Sequence, residues 1–526
     1  MEFNRKVILM AIVIGLVFSL PYLYGVFKFG KDYSPLISGK ASYLTEETYT
    51  YAPEVWQIVK NHWSGDPYIW EQRNQASPYV SELLSVFPLV VFYEITGSVA
   101  RAFLISSFIF PPIMFLSIYI FLKKFNFQDP FSIATSLGVV FIPFLSILFP
   151  KLQSYGTLLT GDSNGPLFFA RIPHPQISTM FVFAAFFLTV IVINENFRNI
   201  KNLIAVSLSI ALSLYTSVFV SSVVSIASGI LLLKFIKRIP VKSLFIASII
   251  IFTLSIPFLI NLVFQQNQLS TAEFIHRFTF EKSYMFPIQL RYIFFSLLLL
   301  FLRRDTISKV LFCYILVPCF LIDLHQFIFG INFQADHWIS RIIAPLSTLT
   351  LFLIVQKIIP RAKKIWILMS AVILFIGISR QISWVKSNQS NLSLDKSHRQ
   401  LIEQLFIRTE QNDVIASFSP DLNNEIIANT GRWIYIAPGD RSWITSEEAI
   451  KRICNIGILS QNQFHDSDII NLTSSFLALE SRDSRKVDLL TKEIQACIKA
   501  NNFTPGYKLN YIVIKNSHGS WELHKI

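Results

Sequence analysis

Long apolar runs separated by short polar junctions fill residues 7–385 of this chain. A membrane-spanning helix needs about 20 predominantly apolar residues, and this part of the chain holds about eleven runs that approach or reach that length. The pattern predicts an α-helical polytopic membrane protein. The predicted spans are 7–27, 99–122, 131–149, 177–194, 202–217, 218–236, 243–264, 291–302, 309–324, 341–359 and 365–384.

Lysine and arginine are concentrated at every second junction between these runs. Cytoplasmic loops carry an excess of both residues, so these clusters are expected on the inside. With an inside N-terminus, about eleven spans leave the C-terminal part of the chain on the outside. The basic clusters lie at residues 5–6, 123–124, 198–201, 234–242, 303–309 and 357–364.

Segment 80–96, VSELLSVFPLVVFYEIT, is apolar enough to resemble a further span. Counting it as one would move Lys123 and Lys124, and each later basic cluster, to the outside. We therefore predict an outward-facing helix that lies at the membrane interface or dips partly into the bilayer.

The composition changes at about residue 386, where a polar stretch predicts a linker. Strand and helix patterns then alternate, which favours a small soluble α/β domain. We predict a transmembrane domain over 1–385, with a large outward first loop over 28–98, and an extracytoplasmic domain over 386–526. Predicted strands are 413–418, 432–437, 509–515 and 520–526, and predicted helices are 445–459 and 486–500.

Charge and cysteine content add two points. A net charge of +13 would suggest a nucleic-acid partner in a soluble protein, but here the excess lies in short junctions where membrane insertion explains it. No nucleic-acid partner is predicted. Cys454 and Cys497 lie in the predicted outer domain, on an oxidising side, so they either form a disulfide or occupy separate core positions.

The predicted outward loops 28–78, 150–176, 265–290 and 325–340 are long enough to build a site. In the first of them, Glu46 and Glu47 are adjacent. A carboxylate there could act as a general base on an acceptor hydroxyl or hold a divalent cation against a phosphate. The alternative is a solvated acidic loop with interfacial aromatics. Aromatic candidates for stacking on sugar or lipid are Tyr49, Tyr51, Trp56 and Trp70.

The second outward loop contains Asp162, Arg171 and His174. Asp162 is a candidate for contact with an acceptor or a metal. Arginine can clamp phosphate oxygens in a bidentate way, so Arg171 and His174 are candidates for a lipid phosphate. An interfacial arginine beside a rigid proline turn explains the same residues without a ligand.

The last outward loop places His325, Asp336, His337 and Arg341 at a predicted membrane edge. His337 and Arg341 are candidates for binding a phosphate. The alternative interpretation is that they belong to a polar belt at the membrane interface. His325 is a second candidate near an acceptor or metal, but no zinc-ligand spacing appears. The loop at 265–290 is predicted to carry a charged surface helix that either borders the site or is solvated, with Glu273, His276, Arg277, Glu281 and Lys282.

An acidic pair in the first outward loop, followed by an amphipathic segment and many spans, resembles the GT-C glycosyltransferase superfamily. Residues 46–74, EETYTYAPEVWQIVKNHWSGDPYIWEQRN, resemble a bacterial family of uncharacterised polytopic membrane proteins related to it. The superfamily includes protein O-mannosyltransferases and lipid A aminoarabinose transferases. The resemblance implies a catalytic carboxylate at Glu46 or Glu47 and a polyprenyl-phosphate sugar donor. Many relatives carry Asp-Glu here, so Glu-Glu leaves open which residue is the base.

The function predicted from these features is an integral-membrane glycosyltransferase of the cell envelope. It would move sugar to an extracytoplasmic glycan, lipid or protein acceptor, with no nucleotide cofactor and a divalent cation left open. A bacterial inner membrane with a periplasmic domain fits best. The alternatives are a non-catalytic scaffold and a lipid or sugar transporter, although transporters place polar groups within their spans and these candidates gather at one face.

Overall fold

The structure is a computed structural model. It describes residues 5–30, 33, 43–63, 65–74, 82–141, 167–266, 269–279, 282, 284, 286–360, 362–394, 396–439, 442–460, 464–478, 481, 483–516 and 520–526.

The first three quarters of the described chain are helical. A π-helical turn, Ile339–Ile343, leads directly into α13. The helices are α1 Arg5–Phe29, α2 Tyr43–Val59, α3 Leu83–Thr96, α4 Val99–Lys124, α5 Asp129–Phe141, α6 Ser178–Asn194, α7 Ile200–Ser213, α8 Val218–Lys234, α9 Val241–Gln266, α10 Leu269–Phe278, α11 Phe286–Arg303, α12 Thr306–Phe329, α13 Ala344–Ile358 and α14 Lys363–Ser387.

Each predicted span contains one of these helices. Among the described residues, six helical segments are long and apolar enough to cross a membrane, and α3, α5, α6, α7 and α8 are shorter apolar helices. In the apolar 18-residue window of Ile339–Ile358, 83% is buried inside the protein, whereas the corresponding share for Val241–Phe264 is 17%. The first of these spans is therefore central and the second peripheral. The protein is a polytopic helical membrane protein, as predicted.

Within segment 80–96, residues 83–96 form α3, which is attached to the connection between α7 and α8. The backbone N–H of Leu84 donates to the Tyr215 carbonyl at 2.7 Å, and the Ser85 hydroxyl donates to the Thr216 carbonyl at 2.9 Å. The exposed large side chains of α3 recur every fourth residue and therefore share one face. They are Phe87, Val91 and Ile95.

The C-terminal region is a small α/β domain with a four-stranded sheet in the order β2-β1-β3-β4. Strand β1 pairs in parallel with β2 and β3, and β4 pairs antiparallel with β3. All predicted strands and helices of this region are present, and three further helices were not predicted. The elements are α15 Lys396–Arg408, β1 Val414–Ser417, α16 Pro420–Thr430, β2 Trp433–Ile434, α17 Ser446–Leu459, α18 Asp466–Leu477, α19 Ser484–Lys499, β3 Tyr511–Lys515 and β4 Trp521–Lys525.

The predicted linker after residue 386 is largely helical in the structure. Helix α14 continues to Ser387, a short 3-10 helix follows, and α15 begins at Lys396. Leu401 and Leu405 of α15 are fully buried in the core of the C-terminal domain. Most side chains of α15 are polar and not buried, so its sequence resembles that of a linker.

The first loop is docked on the C-terminal domain along a surface that we call the docking seam, formed by residues 56–63, 65–73, 428–439 and 442–452. At one end, the Trp56 indole N–H donates to the Ala428 carbonyl at 2.9 Å. Further along, the backbone N–H of Ile434 in β2 donates to the Tyr68 carbonyl at 3.1 Å. The loop therefore adds a backbone contact to the edge strand of the sheet.

Asp66 lies buried at the centre of the docking seam. One carboxylate oxygen accepts from the backbone N–H groups of Tyr68 and Ile69, and the other accepts from the hydroxyl of Ser442 and the N–H of Trp443, at 2.8–3.1 Å. Burial raises the pKa of Asp66 to about 6, although these four donors act in the opposite direction. The carboxylate therefore joins the turn of the first loop to the C-terminal domain.

A buried arginine completes the seam. The Arg452 guanidinium is fully buried and pairs with Glu71 of the first loop at 2.8 Å and with Glu448 at 2.7 Å. Glu71 also accepts from the backbone N–H of Lys508 at 2.7 Å. Removing one partner of such a pair leaves a buried charge without compensation, so the seam is sensitive to single changes.

Helix α10 lies in the loop predicted over 265–290 and contacts the C-terminal domain, so it is not the solvated surface helix that its charge spacing predicted. Arg277 is fully buried and donates to the carbonyls of Ser442 and Ile444 at 3.2 and 2.9 Å. Phe274 stacks on Trp443 with ring centroids 4.4 Å apart. Glu273 accepts from the backbone N–H and the hydroxyl of Ser446, whereas His276 is exposed.

Cys454 and Cys497 form a disulfide that joins α17 to α19. Of the alternatives left open by the sequence, the structure shows the disulfide.

Asp66→Asn should weaken the docking seam. An amide offers one carbonyl oxygen where the carboxylate offers two, and its NH₂ group would face two donors, so we expect a loss of about 1–3 kcal/mol. Hydrogen exchange should be faster at the amides of Tyr68, Ile69 and Trp443. Asp488→Asn, in an exposed ion pair of α19, is the control, and equal exchange in both variants would contradict this role of Asp66.

Gly431→Ala should displace Trp56. Gly431 has a φ of +68°, and an added Cβ would lie 2.6 Å from the Trp56 ring. Gly330 has a φ of +72° with nothing within 4 Å, so Gly330→Ala carries the same backbone strain without the clash. We expect the free energy of unfolding in detergent to fall by about 1–3 kcal/mol more for Gly431→Ala. Equal losses would mean that Trp56 moves aside without cost.

Candidate functional site

Helix α2 carries the acidic pair of the first loop. Glu46, Glu47 and Tyr49 lie in its first two turns, and their side chains are outside the described residues. Asp162 also lies outside the described residues. Their predicted roles remain predictions, and the site is described through the residues around them.

Tyr51 of α2 contacts His174 of the second outward loop. The two rings meet edge to face with centroids 5.3 Å apart, and both side chains are buried. His174 Nε2 also lies 3.7 Å from the carboxylate of Glu82, which directly precedes α3. The first loop, the second loop and the start of α3 therefore meet at His174.

The segment around Arg171 is tied to the helices by Gln176. The Gln176 side chain is buried, accepts from the Ser106 hydroxyl at 2.8 Å and donates to the Phe169 carbonyl at 3.0 Å. Its backbone N–H donates to the Arg171 carbonyl at 3.3 Å. These bonds hold Arg171, which is half-buried, in the same turn as His174.

Arg341 lies in the π-helical turn before α13 and is 5% exposed. Its guanidinium donates to the Ser217 hydroxyl at 3.0 Å and lies 5.4 Å from the centre of the Phe219 ring. Its carbonyl accepts from the Thr179 hydroxyl at 2.9 Å. Such turns interrupt regular helix bonding and occur frequently at functional sites.

His337 shares a neighbour with Arg341, and the His325 ring lies 4.8 Å from that of Trp338. His337 meets Phe219 edge to face at 4.7 Å. One nitrogen of His325 lies 2.8 Å from the Leu321 carbonyl, and the other accepts from the backbone N–H of Phe333 at 3.1 Å. Within the part of the chain that the structure describes, His, Cys, Asp and Glu form no group of three suited to a metal ion.

Both groups of residues attach to the connection between α7 and α8. Tyr215 and Thr216 hold the start of α3 beside Glu82, and Ser217 holds Arg341. Tyr51, His174 and Arg341, far apart in the sequence, thus belong to one continuous set of contacts. A buried arginine and histidine at such a position can hold an anionic group.

Trp56 and Trp70 lie in the docking seam instead. Trp56 is bonded to Ala428, and the Trp70 ring meets Trp433 with centroids 5.7 Å apart. These contacts give both indoles a structural role, and their stacking on sugar or lipid remains a prediction.

Glu82 and Ser217 are two polar residues of the site that sequence reasoning missed. Glu82 stands immediately before the apolar run of α3, and an acid at that position is a signal that could have been used. Ser217 is one hydroxyl among many at helix ends, and nothing in the sequence distinguishes it. Its role depends on Arg341, which lies 124 residues later.

A double-mutant cycle between Tyr51→Ala and His174→Ala should show coupling. Edge-to-face ring pairs contribute about 0.5–1.5 kcal/mol beyond the area that they bury, and residues in contact are not additive. Unfolding in detergent measures the four free energies. Tyr51→Ala with His524→Ala, an exposed residue of β4, is the control pair, and additive effects in the first cycle would contradict the contact.

Comparison with known proteins gives a likeness of fold at low identity. No family model and no curated protein matches the chain. Three solved structures of the Archaeoglobus fulgidus oligosaccharyltransferase are similar to it. The apo form is 12% identical, with a TM-score of 0.44 over 95% of this chain and 69% of that one. The complex with Zn and sulfate is 10% identical, with a TM-score of 0.43 over 94% and 67%. The form tethered by a disulfide to an acceptor peptide with the NVT sequon is 10% identical, with a TM-score of 0.47 over 99% and 74%.

Proposed function

We propose that the protein is a GT-C-type membrane glycosyltransferase. It transfers a sugar from a polyprenyl-phosphate donor to an extracytoplasmic acceptor, with Glu46 or Glu47 as the general base or as a ligand of a divalent cation. The observation that carries this proposal is the contact between Tyr51 and His174. Glu47 is one helical turn before Tyr51 in α2, and this spacing supports a position of the acidic pair near the segment with the candidate phosphate ligands.

The chemistry requires a carboxylate and a phosphate site side by side. The carboxylate removes the proton of the acceptor hydroxyl as the sugar is transferred. His174, Arg171 and Arg341 are the candidates for the donor phosphate, whose negative charge increases as it leaves. Holding donor and acceptor together at one face of the helices supplies the proximity that the reaction needs.

The C-terminal domain supports this arrangement by holding α2. The docking seam fixes the end of the first loop, and the Trp56 bond to Ala428 fixes the last turns of α2 itself. Positioning a catalytic carboxylate on a helix anchored by a folded domain limits its movement relative to the donor site.

The proposed orientation places the basic junctions in the cytoplasm and the C-terminal domain outside, as in the periplasm of a bacterial inner membrane. The disulfide between Cys454 and Cys497 supports this orientation, since such bonds persist mainly in oxidising compartments.

Replacing Glu46 and Glu47 together with glutamine should abolish transfer. Loss of a general base costs about 10²–10⁴-fold in rate, and glutamine keeps the size of the side chain. Mass spectrometry of glycans and glycolipids compares cells that carry the wild-type chain, the double variant or no chain. Each single variant then identifies which glutamate acts.

The control is Glu94→Gln with Glu493→Gln, both exposed in the structure. A sugar mass missing in the null and in the glutamate variant, but present in the control, is the expected result. If the glutamate variant restores a product that the null lacks, the protein is a scaffold or transporter. Identical profiles in all strains would remove the support for a transferase.

A further inference from the structure

A cluster of cations surrounds two tryptophans at the docking seam. We call it the basic–tryptophan patch and define it by the partly exposed Lys60, Trp70, Arg73 and Lys508 with the buried Trp433 and Arg432. It lies at the far end of α2 from Glu46 and Glu47 and was not identified from the sequence.

The contacts of the patch are short and continuous. The Trp433 indole is the buried centre of the patch. The Lys60 ammonium lies 4.5 Å from the centroid of the Trp433 ring, and the Trp70 ring meets the Trp433 ring edge to face with centroids 5.7 Å apart. Over the Trp70 ring lie the Arg73 guanidinium at 3.6 Å and the Lys508 ammonium at 4.1 Å. Three cationic groups are thus held on two touching indoles.

The turn of the first loop fixes the position of Arg73. Gly65 has a φ of +98°, and a Cβ there would lie 2.3 Å from the Arg73 carbonyl group. The backbone N–H of Asp66 donates to the Gln72 carbonyl at 3.0 Å. The two ends of this turn are therefore in contact, and Arg73 is presented on a closed loop rather than on a free strand.

Within the described chain, none of these cations forms an ion pair with a carboxylate. Lys60 donates to the carbonyls of Gln411 and Gly431, Arg73 to that of Trp70, and Lys508 to that of Asn412. Arg432 donates to Thr409 and Thr430.

The carboxylates near the patch offset only part of this charge. Glu71 and Glu448 share the guanidinium of Arg452, and Glu71 also accepts from the backbone of Lys508. Asp413 acts on Arg432 through space and accepts a bond from the backbone of Glu410. The patch therefore carries a surplus of positive charge.

The charged form of Lys60 is destabilised in this environment. Burial, together with the nearby Arg432, lowers the pKa of Lys60 to about 7. Each cation over an indole stabilises the fold by about 0.5–1 kcal/mol at exposed sites. Gathering several cations around Lys60 is unfavourable without an anion, and residues with a shifted pKa are frequently found at binding sites.

We propose that the basic–tryptophan patch binds the oxyanion groups, phosphate or carboxylate, of an anionic oligosaccharide that serves as the acceptor. Guanidinium and ammonium groups bind oxyanions, and α2 runs from this patch toward the acidic pair that is proposed to activate the acceptor. The identification of this ligand as the acceptor rests on the proposed transferase function. The binding itself does not.

The position of the patch also indicates the length of the ligand. Glu47 and Val59 stand near the two ends of α2, which at 1.5 Å per residue are on the order of 18 Å apart. Lys60 follows directly. An acceptor held at the patch that reaches the acidic pair must therefore extend over several sugar units.

Binding to the purified full chain in detergent tests this proposal without requiring turnover. The probes are oligosaccharides of matched length that are neutral, phosphate-bearing or uronic-acid-bearing, measured by thermophoresis at low and high salt. The variant is Arg73→Glu with Lys508→Glu, and the control is Lys525→Glu with Lys492→Glu, which reverses exposed charges elsewhere. Arg73→Gln with Lys508→Gln is measured as well, since it removes charge with less risk to the fold.

The anionic probes should bind, more weakly as salt rises, and the neutral probe should not. Both patch variants should weaken binding by about tenfold or more, and the control by less than about twofold. The stronger of the two anionic probes identifies the oxyanion.

Equal binding of the neutral probe, or unchanged binding in the glutamine variant, would overturn the proposal. Binding to vesicles of anionic phospholipid but to none of the saccharides would overturn the carbohydrate assignment. Anion binding in a chain that shows no sugar transfer would leave the site in place and remove the transferase function instead.

Discussion

The buried carboxylate of Asp66 is the interaction on which the arrangement of the loops around α2 depends. One oxygen closes the turn of the first loop, and the other holds Ser442 and Trp443 of the C-terminal domain. The two oxygens of this carboxylate accept hydrogen bonds from different parts of the chain. The position of each part therefore depends on the other. The ion pairs of Arg452 and the backbone hydrogen bond of Ile434 then strengthen the contact between the first loop and the C-terminal domain.

The charged groups of the candidate site lie at helix ends and connections. Burying a charge requires partners, and the connection between α7 and α8 provides them for Arg341 and for the start of α3. His174 has Tyr51 and Glu82 in the same region. A transporter would place such groups within its spans, near the middle of the bilayer. This arrangement therefore favours chemistry at one face.

Much of the fold was predictable because it depends on short-range patterns. Runs of apolar residues located a helix in each predicted span, and alternation located the strands of the C-terminal sheet. Helix α16 was missed although Ser419 caps it, Pro420 begins it and Gly431 follows its end, all of which are recognised signals. Helix α15 was missed because it buries little more than Leu401 and Leu405.

By itself, the sequence determined that the protein is a polytopic helical membrane protein with an α/β C-terminal region, and it singled out the acidic pair of the first loop. Hydropathy and charge asymmetry are local properties, and they need no knowledge of which surfaces meet. Only the tertiary structure decided the partners: Tyr51 with His174, Arg277 with the C-terminal domain, and Asp66 with Ser442, which lies 376 residues away. A charged residue is solvated or buried according to the donors and acceptors that folding brings to it, and these come from distant parts of the chain.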